Sequence, residues 1–434
     1  MLIQFTVGNY LSIKEPMTLS MLASSITELV AENTFDFGRI RFLNSAAIYG
    51  ANASGKSNIV SAMRFMKWMV FGFFKTSTID TPIPVTRFKL SSEMDDQPAL
   101  FEIQFIHRNI RYRYGFELDE AKIHSEWLFR SMAKREAKMF VRENDSIDLG
   151  NLFKEGKGLI DKTRSNVLFL SVTTQFNGEI SGNIMDWFSS FNTISGLNDQ
   201  EYGKFTRKKI LDNDYKNKIL NFLTIADLDI HDVDLVKERI SKDEIPPDLK
   251  KIVDRTAFNT GEYAGVEVEQ LFSIHNRFDK SKNIADRIRW DFNIFESEGT
   301  KKTLSLSGPF IDTLENGRIL IIDELEARLH PLITRNLIRM FHSSVTNPHH
   351  AQLIFVTHDT SLLSNKMFRR DQIWFVEKNK IGASRLFSLV DYRWHKGKVR
   401  KDASYEKDYI LGKYGAIPFI AEPDGIWNPN HENK

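Results

Sequence analysis

Short apolar runs separated by turns fill the first fifty residues, which predicts a set of strands. The runs cover residues 2–7, 17–21 and 45–49, with the first turn at Gly8-Asn9. After Ser57 the spacing of apolar residues changes to steps of three and four, and this predicts a helix with one buried face. The residues on that face are Ile59, Met63, Met66 and Val70.

Strict alternation between residues 100 and 118 predicts an antiparallel hairpin. Phe101, Ile103 and Phe105 point to one side before the turn at residues 107–109. After that turn the same alternation places Tyr112, Tyr114, Phe116 and Leu118 on one side. The continuous apolar run at residues 166–172 predicts a buried strand.

The pattern of charged and apolar residues changes between residues 178 and 283. Residues 204–223 are charged with helical spacing, and Pro246-Pro247 interrupts the chain, so we predict a partly helical insertion. Strands are predicted again at 266–274 and 287–295.

The last third of the chain alternates apolar strand patterns with helical patterns. Strands are predicted at 318–322, 353–357 and 372–376, and helices at 301–314 and 332–344. After residue 394 the chain is polar and basic. Together these patterns predict an α/β fold.

Composition narrows the function classes. The 434 residues are 41% hydrophobic and 27% charged, which is typical of a globular protein. With 59 Lys and Arg against 57 Asp and Glu, a histone-like polycation is excluded, although a local basic patch is not. The absence of Cys excludes disulfides, thiolate zinc sites and a Cys nucleophile, and favours a cytoplasmic location.

No segment predicts a membrane span or an export signal. The most apolar stretch, 65–74, is half the length of a bilayer span and contains Lys67. The first ten residues lack a basic region followed by an apolar run.

Residues 50–57 (GANASGKS) fit the pattern G-x-x-x-x-G-K-[ST] between a predicted strand and a predicted helix. Glycines let the backbone N–H groups of such a loop turn toward phosphate oxygens. Lys56 is expected to contact the β- and γ-phosphates of ATP, and the Ser57 hydroxyl to ligate Mg²⁺. The nucleotide-binding residues predicted here are Asn52, Ala53, Ser54, Gly55, Lys56, Ser57 and Asn58.

Two further strands end in residues with suitable chemistry. The apolar run 318–322 ends at Asp323 and Glu324, where Asp323 can hold Mg²⁺ and Glu324 can act as general base toward water. The run 353–357 ends before His358, which can hydrogen-bond a γ-phosphate and the attacking water. Ligands collect at the carboxyl ends of strands in open α/β sheets, so these ends are expected to meet.

The order phosphate loop, acid-acid strand and strand-Thr-His-Asp resembles the ABC-type ATPases, in particular their SMC-like and RecF-like branch. Asn58 and the opening residues 9–13 (NYLSI) also fit that branch. Leu11 stands where a basic residue is usual, and Ala53 stands where the wider branch prefers Gly. The resemblance implies an ATP-hydrolysing core with ATP and Mg²⁺ as cofactors.

The same resemblance implies further site residues. Ser297-Glu298-Gly299-Thr300 resembles the signature segment that one subunit offers to the γ-phosphate bound by another, with Ser297, Gly299 and Thr300 as contacts. Read without the resemblance, this segment is a helix cap. Gln175, after the strand predicted at 166–172, is placed as the Q-loop glutamine, and residues 325–331 resemble the D-loop.

Most of residues 1–180 and 290–420 resemble the stand-alone ATPases of bacterial anti-phage and abortive-infection loci, of the RloA and AbiL type and related to the ATPase half of OLD nucleases. OLD nucleases carry a Toprim domain with an Asp-x-Asp, and the residues after His358 contain no Asp-x-Asp. The resemblance therefore implies a homo-oligomer, a dimer or larger with ATP at its interface, that controls a separate effector, a nuclease or toxin.

The predicted organisation has four parts. Residues 1–177 form the N-terminal part of the ATPase core, with the phosphate loop and an antiparallel β subdomain. Residues 178–284 form the insertion, residues 285–393 the C-terminal part of the core, and residues 394–434 a basic tail.

A second function stays open, that of a DNA-binding repair ATPase resembling RecF. Its basic face would combine residues of the hairpin region with those of the tail, against the alternative of an ordinary solvated surface. The candidate residues are Arg108, Arg111, Arg113, Lys134, Arg135, Lys138 and the basic residues between Lys396 and Lys401.

Overall fold

The computed structural model describes residues 1–131, 135–240, 266–394 and 397–418. The chain divides into two compact units. The first unit comprises Met1–Leu197, Thr313–Ala327 and Leu337–Lys434, and the second comprises Asn198–Asp312 and Arg328–Asn336.

Strands and helices follow one another along the described part of the chain. The strands are β1 (Leu2–Gly8), β2 (Met17–Ser20), β3 (Thr34–Phe37), β4 (Ile40–Leu43), β5 (Ser45–Gly50), β6 (Ala99–His107), β7 (Ile110–Leu118), β8 (Ile123–Ser131), β9 (Ala137–Glu143), β10 (Ser146–Leu149), β11 (Phe191–Ser195), β12 (Asp232–Ile240), β13 (Val266–Phe278), β14 (Ile284–Asp291), β15 (Ile319–Asp323), β16 (Gln352–Val356), β17 (Ile373–Lys378), β18 (Ser384–Ser388), β19 (Arg393–Trp394) and β20 (Gly397–Lys398). The α-helices are α1 (Val30–Asn33), α2 (Lys56–Trp68), α3 (Phe74–Thr76), α4 (Phe169–Gln175), α5 (Glu179–Ser189), α6 (Gln200–Ile210), α7 (Asn213–Ile225), α8 (Phe292–Phe295), α9 (Glu298–Asn316), α10 (Pro331–His342) and α11 (Tyr405–Ile410). A π-helix spans Met69–Phe73, and 3-10 helices span Ser92–Met94, Lys154–Gly156, Ile160–Lys162, Thr360–Leu362 and Arg370–Gln372.

A six-stranded, mostly parallel sheet organises the first unit. Its strand order is β11-β15-β16-β5-β17-β18, and only the β17–β18 pair is antiparallel. Strands β5 and β16 are buried along their full length, as expected for central strands covered on both faces. The carboxyl ends of β5, β11, β15 and β16 therefore lie along one edge of the sheet.

A seven-stranded antiparallel sheet in the same unit has the order β10-β9-β8-β7-β6-β1-β2. The hairpin β6–β7 confirms the alternation at residues 100–118, and its turn residues Arg108 and Asn109 have φ of 49° and 64°. Positive φ at both positions suits a two-residue hairpin turn. The inward side chains of this sheet join the predicted face of α2 and the parallel sheet in one hydrophobic core.

The strand predicted at 166–172 is wrong, because Phe169–Gln175 forms helix α4. A short apolar run does not distinguish a buried strand from a buried helix by its pattern alone. Here the buried carboxylate of Glu126 accepts hydrogen bonds from the backbone N–H groups of Phe169 and Leu170, at 2.6 and 3.0 Å. That long-range cap stabilises the helical start.

The second unit combines α6, α7, α8 and most of α9 with the antiparallel sheet β12-β13-β14. Helices α6 and α7 cover the region where helical spacing was predicted at 204–223. The strand predicted at 287–295 ends early, because the Asp291 carboxylate caps α8 by accepting from the N–H groups of Asn293 and Ile294. The predicted break at Pro246-Pro247 lies outside the described residues.

Part of the segment predicted as a tail is folded. In α11 the rings of Tyr405 and Tyr409 are buried, and Tyr409 stacks on Phe375 of β17 with ring centroids 5.3 Å apart. The α/β class with an antiparallel β subdomain is confirmed. None of the helices in the described ranges is both long and apolar enough to cross a membrane.

Candidate active site

The phosphate loop joins β5 to α2, as its sequence pattern predicts. Asn52 and Ala53 form its exposed tip, while Ser54 and Lys56 are buried. The Lys56 ammonium donates to the carbonyl oxygens of Gly50 and Ala51, at 2.8 and 2.9 Å. Lys56 is thus folded along the loop, and its charge lies where phosphate oxygens would enter.

Three side chains support the loop from behind. Asn58 donates to the Ser12 hydroxyl at 2.6 Å, and Ser12 shares a hydrogen bond of 2.6 Å with Ser384. Ser384 in turn donates to the Ser54 carbonyl at 2.6 Å. This network accounts for Ser12 in the opening NYLSI pattern and for Asn58. Sequence reasoning missed Ser384, which is an ordinary serine on β18.

The residue types of the loop follow from its backbone. Gly55 has φ of +103°, and a Cβ there would lie 2.2 Å from the Ser384 hydroxyl and 2.5 Å from that of Ser12. Only glycine satisfies both constraints. Ala53 has φ of +59°, which explains why glycine is usual at this position in similar loops.

The acid strand meets the loop. Ser57, at the start of α2, donates to Asp323 at the end of β15, with 3.1 Å between Oγ and Oδ1. Octahedral Mg²⁺ with oxygens at about 2.1 Å places neighbouring ligands roughly 3 Å apart, so this pair fits two adjacent positions of one ion. Within the described ranges no three His, Asp, Glu or Cys side chains gather as a metal site, so water and phosphate would supply the other ligands.

Glu324 is held in an uncommon backbone conformation, with φ of +56°. Strain of this kind persists only where the surroundings fix it. The next residue, Leu325, is fully buried and its N–H donates to the Val356 carbonyl at 3.3 Å. On the other side, the N–H of Gly196 donates to the Asp323 carbonyl at 2.6 Å.

Gly196 comes directly after β11, a strand that sequence reasoning missed. Ser195 is in register with Asp323, so β11 ends beside the acid pair. A Cβ on Gly196 would lie 1.8 Å from the Glu324 carbonyl oxygen. A glycine at this point therefore lets β11 support the backbone of the predicted general base.

Charge confirms that the strand ends converge. Burial lowers the pKa of Lys56 to about 8, against the opposing effects of Asp323, Glu324 and Glu326. Burial also lowers the pKa of His358, helped by Lys56 and opposed by the same three acids. At neutral pH Lys56 is therefore mainly charged and His358 neutral, so the imidazole can both donate and accept.

The lowered pKa of Lys56 predicts a pH dependence of ATP affinity. Phosphate binding needs the ammonium form, which is lost as pH rises through about 8. We expect the apparent Kd for ATP to rise about tenfold between pH 7 and pH 9. Fluorescence titration with a labelled ATP analogue measures this.

The matched control is Lys56→Arg, which keeps its charge at pH 9 whatever its absolute affinity. An equally steep rise in the Kd of that variant would assign the titration to another group.

His358 follows β16, between β15 and β5 in the sheet. Its side chain is exposed, and its backbone N–H donates to the Glu326 carboxylate at 2.6 Å. Asp359 accepts from the Ser361 N–H at 2.9 Å and begins the 3-10 helix that follows. The structure thus brings Lys56, Ser57, Asp323, Glu324 and His358 to one edge of the parallel sheet.

The segment Ser297–Thr300 belongs to the second unit. The Ser297 hydroxyl accepts from the Thr300 N–H at 3.1 Å and caps α9, as the helix-cap interpretation predicts. A Cβ on Gly299 would lie 3.1 Å from the Arg328 carbonyl oxygen. The role of this segment in nucleotide binding stays a prediction.

Gln175 is exposed at the C-terminal end of α4, and not after a strand. In the described part of the chain no hydrogen bond joins it to the phosphate loop. The strand beside the acid strand is β11, and Gln175 does not follow a strand as the Q-loop glutamine was expected to. Its nucleotide contact stays a prediction without structural support.

Three of the six candidate basic residues of the hairpin region pair with acids. Ion pairs join Arg108 to Asp186 (2.9 Å), Arg113 to Glu102 (3.2 Å) and Glu136 (2.9 Å), and Lys138 to Asp148. Lys134 and Lys396 lie outside the described residues. These ion pairs lower the net positive charge of the face, and DNA phosphates would have to displace the paired acids, which favours the solvated-surface interpretation.

Comparisons with known proteins bear on the family and fold. The family model described as "AAA domain, putative AbiEii toxin, Type IV TA system" matches residues 45–364. The SMC head domain from Thermotoga maritima is 12% identical, with a TM-score of 0.42 over 89% of this chain and 98% of that one. An SmcHead bound to the C-winged helix domain of ScpA is 13% identical, with a TM-score of 0.41 over 89% and 97%. No curated protein matches the sequence.

Proposed function

The chain belongs to the family of AAA domains described as "AAA domain, putative AbiEii toxin, Type IV TA system", and we propose that this ATPase is an ATP-driven switch in bacterial phage defence. Two copies bind ATP between them, and the bound or hydrolysed state of the nucleotide controls a separate effector. The observation that carries the proposal is the convergence of Lys56, Ser57, Asp323, Glu324 and His358 at one sheet edge.

Each residue has a part in hydrolysis. Lys56 and the loop N–H groups bind the β- and γ-phosphates, and Ser57 with Asp323 holds Mg²⁺, which neutralises phosphate charge when bound. Glu324 takes the proton of a water whose oxygen bonds to the γ-phosphorus. The bond from that phosphorus to the β–γ bridging oxygen breaks, and ADP leaves with the electron pair. His358 orients the water and the γ-phosphate.

The switch follows from what ADP lacks. The signature residues Ser297, Gly299 and Thr300 of one copy contact the γ-phosphate held by the loop of the other. A ligand shifts an equilibrium only by its differential affinity for the two states, and the γ-phosphate supplies that difference. ATP thus joins the copies and hydrolysis separates them.

The effector is a nuclease or toxin made as a separate protein and bound by one of these two states. The family description names a putative toxin and a toxin–antitoxin system, which supports a role linked to a toxin. That the effector is a separate protein is what the resemblance to the anti-phage ATPases implies. The absence of Cys fits the reducing cytoplasm, where ATP is available.

Light-scattering mass with ATP, with ADP and without nucleotide tests the switch. We expect a monomer mass with ADP and a dimer or larger mass with ATP. The matched pair Ser297→Asn and Ser297→Asp keeps the helix cap, since Asn and Asp cap as well as Ser. Only Ser297→Asp repels a γ-phosphate, so it alone should stay monomeric with ATP. Dimer formation by Ser297→Asp with ATP would show that the signature does not contact the γ-phosphate across the interface.

A further inference from the structure

Arg328 combines a charged side chain with a strained backbone. Its φ is +64°, in the left-handed region that non-glycine residues rarely adopt. Its side chain is one-third exposed and forms an ion pair with Glu298 at 3.1 Å. An observed backbone outlier of this kind is a reason to look for function.

Both the backbone and the side chain of Arg328 contact the signature segment within the second unit. Its carbonyl oxygen lies beside Gly299, where a Cβ would be 3.1 Å away. Its guanidinium donates to Glu298 Oε2 at 3.1 Å. Arg328 therefore lies directly beside the signature segment.

A second cation meets the same carboxylate. Lys301 donates to Glu298 Oε1 at 3.0 Å, so Glu298 lies between two positive charges. These contacts lower the pKa of Glu298, with Lys301 contributing first and Arg328 after it. The three side chains line a cavity of about 200 Å³, which leaves room beside the guanidinium.

The Glu298–Arg328 pair is well placed to be exchanged. The Glu298 side chain is 62% exposed, and ion pairs at such exposure contribute little. A terminal phosphate offers more negative charge and bidentate geometry, which a guanidinium matches better than an ammonium does.

We propose that Arg328 is a catalytic residue acting in trans: it leaves Glu298 and binds the γ-phosphate held by the phosphate loop of the second copy. Glu298 at 3.1 Å, with Asp199 at 3.9 Å, keeps the guanidinium neutralised until ATP arrives. This inference rests on the proposed dimer, since only there does the signature face a γ-phosphate.

The test uses the two ends of the pair in the full-length protein, in a Glu324→Gln background that retains ATP. Light scattering against ATP concentration gives the midpoint of dimer formation. We expect Arg328→Ala to raise this midpoint about tenfold or more, because a charge-assisted hydrogen bond is lost. Glu298→Gln should lower it, because the guanidinium loses the closer of its two carboxylate partners. Affinity of the monomer for ADP should stay unchanged in both.

Opposite signs separate this role from a structural ion pair, whose loss from either end would raise the midpoint. Arg277→Ala is the matched control, since Arg277 pairs with Asp286 at 3.7 Å on the exposed sheet of the same unit. Equal midpoints for Arg328→Ala and Arg277→Ala overturn the role of Arg328 alone. A Glu324→Gln parent that stays monomeric with ATP overturns the dimer, and this inference with it.

Discussion

We expect Glu324→Gln to lower kcat for ATP by at least about a hundredfold while leaving KM nearly unchanged. Glutamine keeps the shape of glutamate but cannot accept the proton of the attacking water, and general-base catalysis contributes about 10²–10⁴-fold. We propose that nucleotide binding depends on Lys56 and the phosphate loop, whose hydrogen bonds do not involve the Glu324 side chain. Phosphate release and light scattering, measured on the same sample, should show stalled turnover together with an accumulated ATP-bound dimer.

The control is Glu377→Gln on β17, a carboxylate in the same sheet that pairs with Arg385 at 3.9 Å. Its kcat should match that of the unmodified protein. Fast turnover by Glu324→Gln would show that another group takes the proton.

The second large effect is expected from Gly196→Ala. The added methyl group would lie 1.8 Å from the Glu324 carbonyl oxygen, so the backbone of Glu324 or the end of β11 must move. A displacement near 1 Å at a catalytic group costs on the order of 10²-fold in rate. We therefore expect kcat to fall by at least about tenfold, with the Kd for ATP nearly unchanged because the phosphate loop is untouched.

Gly182→Ala on α5 is the matched control, since a Cβ there meets nothing within 4 Å. In a helix interior, alanine should stabilise the protein by about 0.5–1 kcal/mol and leave kcat unchanged. A Gly196→Ala variant with unchanged kcat would mean that β11 does not position Glu324. Thermal unfolding of each variant confirms that the measured enzyme is folded.

Local motifs account for what the sequence predicts well. Lys56 and Ser57 follow from the loop pattern alone, and Asp323, Glu324 and His358 follow apolar runs that end in polar residues. Each of these signals is contained in a run of a few neighbouring residues, so tertiary contacts are not needed to recognise it.

The elements that were missed depend on contacts between distant residues. Gly196 matters because β11 pairs with β15, more than a hundred residues away, and the five-residue β11 has weak apolar patterning. Ser384 matters only through Ser12, at the other end of the chain. Helix α4 is fixed by Glu126, which the run 166–172 does not contain. In each case the residue type by itself carries no signal, and its role follows from a contact with a residue far away in the sequence.

If one active site is built from two copies, two inactive variants with defects in different parts of that site should restore turnover when they are mixed. Lys56→Ala removes the ammonium group proposed to bind the β- and γ-phosphates, and Ser297→Asp repels the γ-phosphate from the signature. In a symmetric dimer, a mixed pair carries both defects in one site and neither in the other. Neither variant pairs around ATP by itself, so the pairs that form in an equal mixture are mixed. Because each mixed pair has one intact site, turnover should recover to at most about half of normal. If the mixture is as inactive as either variant alone, the signature does not act in trans and the account is contradicted.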